Sequence, residues 1–236
     1  IRNHIKENLE HKKSTGMVML DVQRAFDSVW HNGLLYKLIL LKMPINLIKI
    51  ISSFLNERTF SVQILNKLSS THNIPYGVPQ GSVLSPLLYN LFIHDLPETK
   101  CELALFADDT AIFTSSRFVK TIENKLSSDI TKLNKFYKKW KISINNDKTN
   151  AIFFTNRRHK QIPSSFLKTK FGNINYQSEV RYLGVLFNKK LKFNLHIAKH
   201  TCQVEKVDST LKLLYPILNR RSILDPSIKT KIYKLY

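Results

Sequence analysis

Residues 102–116 read ELALFADDTAIFTSS, and the other predicted elements are arranged around this segment. Two adjacent aspartates, Asp108 and Asp109, stand between two apolar, β-favouring runs at 103–107 and 111–113. The pattern predicts a strand, a tight turn and a return strand. Neighbouring carboxylates repel each other unless a cation neutralises them, so the turn is either simply solvated or part of a metal site.

The composition limits the class of protein. The 236 residues suffice for one large domain whose core needs no disulfide bonds. Cys101 and Cys202 lie far apart and in no CxxC pattern, which argues against structural zinc and a secreted disulfide framework. No stretch has the length and apolarity of a membrane span, so we expect no membrane partner. The chain begins with Ile1 and lacks a signal-peptide layout, and we expect it to be a fragment of a longer protein.

The whole chain has a net charge of +20, and the excess positive charge is concentrated in its second half. Residues 1–111 hold 11 Lys and Arg against 10 Asp and Glu, whereas residues 112–236 hold 26 against 7. This split suits a phosphate backbone that lies across the second half. A basic surface that serves only solubility is the alternative.

Apolar spacing predicts the other elements of an α+β fold. We expect an N-terminal helix within 1–13, a strand at 17–20 that ends in Asp21, and helices near 34–41 and 46–57. A strand at 58–65 is followed by a hairpin turn near 66–67 and a return strand to about residue 74. An irregular loop at 75–86, PYGVPQGSVLSP, leads into a buried helix with Ser85 as its N-cap. The spacing of Ile122, Leu126, Ile130, Leu133, Tyr137 and Trp140 predicts a long helix. Strands follow at 151–154, 166–171, 174–177 and 180–187, and basic helices from about 194.

Asp21 and Asp108 each follow a hydrophobic strand. Two such strands side by side would bring both carboxylates to one point at the edge of the sheet. Mg²⁺ prefers a few carboxylates together with water and substrate phosphates. Two ions roughly 3.5–4 Å apart can clamp the attacking and leaving oxygens of a phosphoryl transfer. An Asp at a strand end also occurs in many unrelated proteins, so spacing alone leaves both interpretations open.

Five ordered segments resemble the palm motifs of a reverse transcriptase: LDVQRAFDSVWH (20–31), PYGVPQGSVLSPLLYNLFI (75–93), FADDTAIF (106–113), NDKT (146–149) and RYLGVLF (181–187). The FADD turn, the PQGSVLSP block and the YLGV stretch are most similar to non-LTR retrotransposons of the jockey-like kind. The resemblance covers about residues 15–190. It implies the palm of a right-hand polymerase, which is an antiparallel sheet with helices on one face. Residues 1–190 would form this palm together with partial fingers, and residues 191–236 would form the start of a basic helical thumb.

The resemblance also implies a catalytic centre. Asp21 and Asp108 would bind two Mg²⁺ ions, or Mn²⁺ in their place, and Asp109 would support the pair less directly. Phe26 matches the bulky steric gate that excludes a 2′-hydroxyl, the group that distinguishes ribose from deoxyribose. Without the motif, Phe26 would be an ordinary core aromatic. We expect Asp27 to be structural, as a cap of the following helix.

Further roles follow from the other motifs. Gln80 matches the residue that contacts the incoming nucleotide and the templating strand, and Gly81 lets the backbone come close to it. Lys148 matches a lysine that protonates or steadies the leaving pyrophosphate, with a plain surface lysine as the alternative. The primer grip, which holds the 3′ end of the primer, would comprise Tyr182, Leu183 and Gly184.

The sequence therefore predicts an RNA-directed DNA polymerase that extends a DNA primer on an RNA template with deoxynucleoside triphosphates. The retrotransposon resemblance implies action in the nucleus. One alternative is a catalytically inactive, truncated retroelement remnant that only binds nucleic acid. Most of the fingers region that precedes the first palm motif in the family is missing, which favours the remnant, whereas the intact aspartates disfavour it. A group II maturase or telomerase-like relative with the same palm is a third interpretation.

Overall fold

The computed structural model describes residues 1–156, 165–193 and the single positions 163, 197, 198, 201 and 225. The predicted thumb at 191–236 lies almost wholly outside these residues, as does Cys202. Within the described residues the helices are α1 (Arg2–Glu10), α2 (His31–Leu40), α3 (Ile45–Leu55), α4 (Leu84–Ile93) and α5 (Val119–Lys139). The strands there are β1 (Ser14–Val22), β2 (Thr59–Phe60), β3 (Gln63–Ile64), β4 (Lys67–Leu68), β5 (His72–Asn73), β6 (Glu102–Phe106), β7 (Asp109–Ser116), β8 (Ile144–Phe154), β9 (Phe166–Thr169), β10 (Gly172–Gln177), β11 (Glu179–Tyr182) and β12 (Val185–Asn188). No helix in this part of the chain is both long and apolar enough to span a membrane.

Six strands form the central sheet in the order β6-β7-β1-β8-β10-β9. Neighbouring strands run antiparallel except β8 and β10, which pair in parallel where Ala151 faces Tyr176. The α+β class is confirmed, and the sheet is antiparallel as predicted except at this one pair. Parallel neighbours need a connection longer than a hairpin, and the chain that contains β9 provides it.

Apolar side chains of β1 point alternately to the two faces of the sheet, and other elements pack against each face. Val18 and Leu20 join a core with residues of α2, α4 and α5. Met17 joins a second core with Ile5 and Leu9 of α1 and with the β11–β12 hairpin. The expectation of helices on one face is therefore wrong for α1. Since β1 is apolar on both faces, its sequence does not indicate which helix takes which face.

The spacing that predicts α5 is confirmed. The residues of its apolar stripe are all buried: Ile122, Leu126, Ile130, Leu133 and Tyr137. A Cβ atom at Gly16 of β1 would lie 2.5 Å from Cγ2 of Ile122 and 2.9 Å from Cδ1 of Leu126. Glycine at this position therefore allows α5 to pack directly on the sheet.

The segment between α3 and α4 forms the predicted hairpin, with its turn between Ile64 and Lys67. Each of its two strands is interrupted, so that β2 pairs with β5 and β3 pairs with β4. These strands are exposed, so no core holds a longer ladder together. The helix α4 begins at Leu84, with Val83 as its N-cap. The predicted cap at Ser85 is wrong, because its hydroxyl donates a hydrogen bond to the Pro79 carbonyl.

A completely buried lysine connects α2, α4 and α5. The Lys37 ammonium donates to the carbonyl of Phe92 and forms an ion pair with Asp95. It lies 3.8 Å from the ring centroid of Trp140 and 4.7 Å from that of Phe136. Burial lowers the pKa of Lys37, and the hydrogen bond to Asp95 opposes that shift. The charge is thus held by one carboxylate, one carbonyl and the faces of aromatic rings.

Candidate active site

Three aspartates meet where β1 ends beside the β6–β7 hairpin. Asp21 is the register partner of Asp109, the first residue of β7. Asp108 lies in the two-residue turn that joins Phe106 to Asp109, and Ala107 before it has a left-handed φ of 50°. A positive φ at the first turn residue suits the right-handed twist of a tight hairpin, although it strains a residue with a Cβ. The predicted strand, turn and return strand are therefore confirmed.

The three carboxylates repel one another. Burial raises the pKa of Asp109, and the neighbouring charges of Asp108 and Asp21 raise it further. In the described residues, no Lys, Arg or His forms an ion pair with any of the three. Nor do three or more His, Cys, Asp or Glu side chains of this part of the chain form a complete metal-ligand set. A bound cation here would need oxygen ligands from water or substrate as well.

Asp21 and Asp108 share the wall of an open cavity of about 820 Å³. The predicted Lys148 lines it too, so the structure brings these three site residues together. The backbone N–H of Lys148 donates to Oδ1 of Asn145, at a distance of 3.3 Å, and Asn145 is the register partner of Asp21. The wall contains three carboxylates and three cations. The carboxylates are those of Asp21, Asp27 and Asp108, and the cations are those of Arg24, Lys141 and Lys148.

The loop that carries Gln80 is held against the turn that follows β1. Gly77 donates its N–H to the carbonyl of Val29, and Val78 donates to the carbonyl of Phe26, each at 2.8 Å. Nε2 of buried His31 lies 2.7 Å from the Gly77 carbonyl oxygen. Gly77 has a φ of 85°, and a Cβ there would lie 2.8 Å from backbone atoms of Asp27. Only glycine fits this approach without displacing one of the two segments.

Gln80 reaches the cavity through Asp27. Its Nε2 donates to Oδ1 of Asp27 at 2.9 Å, and Asp27 lines the cavity. The prediction that Asp27 caps the next helix is wrong, because Trp30 is the N-cap of α2 and no side chain caps that end. Phe26 does not line the cavity, and its ring centroid lies 5.2 Å from that of Tyr89. Gly81 has a φ of 86° and is open on its Cβ side, also outside the wall.

The predicted primer-grip residues lie at the end of the β11–β12 hairpin, where Tyr182 ends β11 and Leu183 and Gly184 form the turn. Leu183 and Gly184 have φ values of 47° and 79°, the left-handed pair that a tight hairpin turn requires. The Tyr182 hydroxyl donates to the Ala104 carbonyl of β6 at 3.4 Å. Burial raises the pKa of Tyr182, and the charge of Asp109 adds to the shift. The hairpin therefore lies against the strand pair that carries the aspartates.

Sequence reasoning missed Arg24, Tyr76 and Lys141 of the cavity wall. Arg24 stands inside the first motif, three residues after Asp21. It lies in a turn, where no regular spacing of residues predicts which side chains face the cavity. Tyr76 stands in the loop before Gln80, and Lys141 follows α5 in a stretch with many lysines. Nothing in the sequence distinguishes this lysine from its neighbours.

The chain matches the family model of the reverse transcriptase (RNA-dependent DNA polymerase) over residues 2–187. It is 33% identical over 231 residues to a probable RNA-directed DNA polymerase from transposon X-element of Drosophila melanogaster, covering 95% of this chain and 25% of that protein. It is 36% identical over 204 residues to the RNA-directed DNA polymerase from mobile element jockey of the same organism, covering 83% of this chain and 22% of that protein. The chain thus spans about a quarter of the length of these curated relatives.

Solved structures show the same fold. The apo telomerase from Candida tropicalis, truncated from its C-terminal domain, superposes with a TM-score of 0.55 at 17% identity, covering 82% of this chain and 38% of that one. A telomerase from the same organism in complex with a TWJ fragment of telomeric RNA gives a TM-score of 0.52 at 16% identity, with 81% and 32% covered. At this identity the likeness concerns the polymerase palm fold alone. The family match and the relatives confirm the resemblance of the motifs: the chain belongs to the reverse transcriptase family, of the kind found in jockey-like non-LTR retrotransposons.

Proposed function

We propose that this chain catalyses the extension of a DNA primer on an RNA template, with deoxynucleoside triphosphates as substrates. The observation that carries the proposal is the register of Asp21 with Asp109 beside the turn residue Asp108, at a cavity that Asp21, Asp108 and Lys148 line. Membership of the reverse transcriptase family supports it. The alternative of an inactive remnant is not favoured, because none of the three aspartates has been lost.

Reverse transcriptases normally use divalent metal ions. We propose that Asp21 and Asp108 hold two Mg²⁺ ions, or Mn²⁺ ions, and that Asp109 supports them less directly. The fit rests on the position of Asp109, opposite Asp21 and next to Asp108. Burial raises the pKa of Asp109 and the charges of Asp108 and Asp21 raise it further, a repulsion that cations would relieve. When bound, such ions lower the pKa of an attacking hydroxyl and neutralise charge on a leaving pyrophosphate.

Side chains around the cavity would orient the nucleotide. Lys148 would hold a proton close to the leaving pyrophosphate, since it lies in the wall that the aspartates share. Gln80, fixed by Asp27, would contact the incoming nucleotide and the templating strand, and Gly81 would let the backbone approach them. Phe26 would act as the steric gate from beneath the turn that carries Asp27, with its ring supported by Tyr89.

The primer would lie along the other side of the aspartates. A second cavity of about 440 Å³ is lined by Asp21, Asp109, Lys148 and Arg181, next to the proposed grip residues Tyr182, Leu183 and Gly184. This position supports a role for the grip residues in holding a strand whose 3′ end meets the metal ligands. We propose that residues 1–190 form the palm with partial fingers and that the basic residues 191–236 begin a thumb that holds the duplex through its phosphates.

The test is a primer-extension assay with the protein encoded by the longest open reading frame that contains this sequence. The substrate is an RNA template with an annealed DNA primer, in the presence of Mg²⁺. Asp108→Asn should reduce the rate by several orders of magnitude, because the metal sites lose a charged ligand. The matched control is Asp147→Asn, an exposed carboxylate that does not line the cavity and should change the rate little. Activity that survives Asp108→Asn would show that the metal assignment is wrong.

The gate is tested separately. Phe26→Ala should raise incorporation of ribonucleotides relative to deoxynucleotides, because the ring no longer occupies the space beside the sugar. Tyr89→Phe keeps the ring on which Phe26 rests and should leave the ratio unchanged. An unchanged ratio in Phe26→Ala would remove the gate role and leave Phe26 as a core residue.

A further inference from the structure

Four polar side chains from four elements meet on the face of the sheet that α1 covers. Thr15 of β1 and Ser115 of β7 are register partners, and Glu102 lies on the neighbouring strand β6. His4 of α1 contacts two of them. Its Nε2 lies 3.0 Å from Oγ of Ser115, and its Nδ1 lies 3.1 Å from Oε1 of Glu102. The imidazole therefore stands between a hydroxyl and a carboxylate.

The protons of this cluster can be arranged so that Ser115 is activated. A neutral imidazole has one N–H and one acceptor nitrogen. When Nδ1 of His4 donates to Glu102, Nε2 accepts the proton of the Ser115 hydroxyl. The Thr15 hydroxyl lies 2.8 Å from Oγ of Ser115 and can donate to it. Both distances to His4 are those found between a nucleophile, its base and the group that orients the base.

Packing holds the imidazole over the strands. The ring centroids of His4 and Phe113 lie 5.2 Å apart, in an edge-to-face arrangement at 72°. The next residue of α1, Ile5, is completely buried, which fixes this turn of the helix against the sheet. Ser115 is partly exposed, so a molecule from solution can reach it. It is six residues from Asp109 along β7, about 20 Å in an extended strand, so the cluster is separate from the candidate active site.

We propose that Ser115 is a nucleophile that cleaves carboxylic esters, with His4 as its general base and Glu102 as the residue that orients His4. Such an activity is separate from DNA synthesis. Oγ of Ser115 attacks the carbonyl carbon of the ester while its proton passes to Nε2 of His4. The bond to the leaving oxygen breaks, and that oxygen takes the proton from Nε2. Water then attacks the acylated Ser115 and gives a proton to Nε2, which returns it to Oγ as the carboxylic acid leaves.

The two partners of Ser115 differ in how much they contribute. The side chain of Glu102 is 58% exposed, whereas that of His4 is 26% exposed. Water screens an exposed ion pair, so Glu102→Gln should slow acylation of Ser115 only about two- to fivefold. His4→Ala removes the base itself and should slow acylation about a hundredfold.

The experiment treats the full chain with a tagged fluorophosphonate, from which a serine nucleophile displaces fluoride, and locates the adduct by peptide mass spectrometry. Ser115 should be labelled, about a hundredfold more slowly in His4→Ala, and imidazole added to that variant should restore the rate. Ser116 is the matched control on the same strand. Its side chain points to the opposite face and accepts a hydrogen bond from the Phe118 N–H at 3.2 Å, so it should stay unlabelled.

Turnover and DNA synthesis are measured on the same variants. Hydrolysis of p-nitrophenyl acetate should be lost in Ser115→Ala and kept in Ser116→Ala. Primer extension by Ser115→Ala should be unchanged, because Ser115 lies far from the aspartates. Loss of DNA synthesis together with loss of hydrolysis would show that the substitution damages the fold, and the adduct on the unaltered chain would then decide.

A hydrogen-bond network that only fastens α1 to the sheet predicts different results. Removal of His4 would then expose Ser115 without slowing its labelling, and imidazole would have no effect. Either result would overturn the triad. Equal labelling of Ser115 and Ser116, or no adduct on Ser115 in the unaltered chain, would also overturn it, and this comparison requires no variant to fold.

Discussion

Two glycines of one loop offer a matched test of how the loop meets the turn after β1. Gly77 and Gly81 have nearly equal φ values, 85° and 86°. A Cβ at Gly77 would lie 2.8 Å from both Cα and the carbonyl oxygen of Asp27, whereas a Cβ at Gly81 would have no atom within 4 Å. Gly77→Ala and Gly81→Ala therefore share a backbone penalty and differ only in the clash.

The magnitudes follow from these two terms. Each alanine in the left-handed region should cost about 1–2 kcal/mol relative to glycine. Gly77→Ala should lose a further ~2 kcal/mol, because the Asp27 backbone cannot rotate away as a flexible side chain would. For a domain of this size, that extra loss lowers the melting temperature by roughly 4–8 °C.

The assay is urea and thermal unfolding followed by tryptophan fluorescence, with Trp30 beside the loop as an internal reporter. Gly77→Ala should unfold at clearly lower urea concentration than Gly81→Ala with a similar slope, since the surface exposed on unfolding is unchanged. Equal losses in the two variants would refute the close approach of the loop to Asp27. They would also remove the structural basis for placing Gln80 beside the cavity.

Three further predictions concern charge and packing. Lys37→Ala should lose about 3 kcal/mol in urea unfolding, whereas Lys37→Met, which still fills the aromatic surroundings, should lose much less; equal losses would contradict the packing role. Asp109 holds its proton more tightly in the folded than in the unfolded chain, so stability falls as pH rises through and above its ordinary pKa of 3.8. Asp109→Asn should therefore raise the melting temperature at pH 7 but not at about pH 3, and a gain at both would exclude the burial of the Asp109 charge and its repulsion by Asp108 and Asp21 as the cause. Gly16→Ala should cost about 1–3 kcal/mol in calorimetry, because its Cβ would meet the Ile122 side chain at 2.5 Å, and a neutral effect would show that α5 can shift.

Much of the fold follows from local signals in the sequence. The apolar spacing from Ile122 to Tyr137 predicts α5, and the alternation of apolar runs around Asp108 predicts the β6–β7 hairpin. The strand that ends near Asp21 is predicted in the same way. Short-range periodicity is enough for these elements because each is decided by neighbours three, four or two residues away. The exposed strands β2 to β5 lack a buried face, and there the predicted hairpin forms but each of its two strands is interrupted.

The candidate site likewise contains residues that the sequence predicts and contacts that it does not. Resemblance of ordered motifs predicts Asp21, Asp108 and Lys148, which the structure brings to one cavity. The same motifs predict a gate at Phe26, which stays a prediction, since its ring lies outside the cavity wall. The link from Gln80 to Asp27 was not predicted, because a hydrogen bond between two turns has no sequence period.

The Asp108–Asp109 turn, the order of the motifs and the family to which they belong can all be predicted from the amino-acid sequence. Three features become visible only in the folded chain: Asp21 lies opposite Asp109, α1 covers the second face of the sheet, and Lys141 shares a cavity with Asp21 and Asp108. Strand order and register are set by packing between residues distant in the chain, so local patterns do not reveal them. A turn depends on its own few residues, whereas a cavity depends on how every element around it is placed.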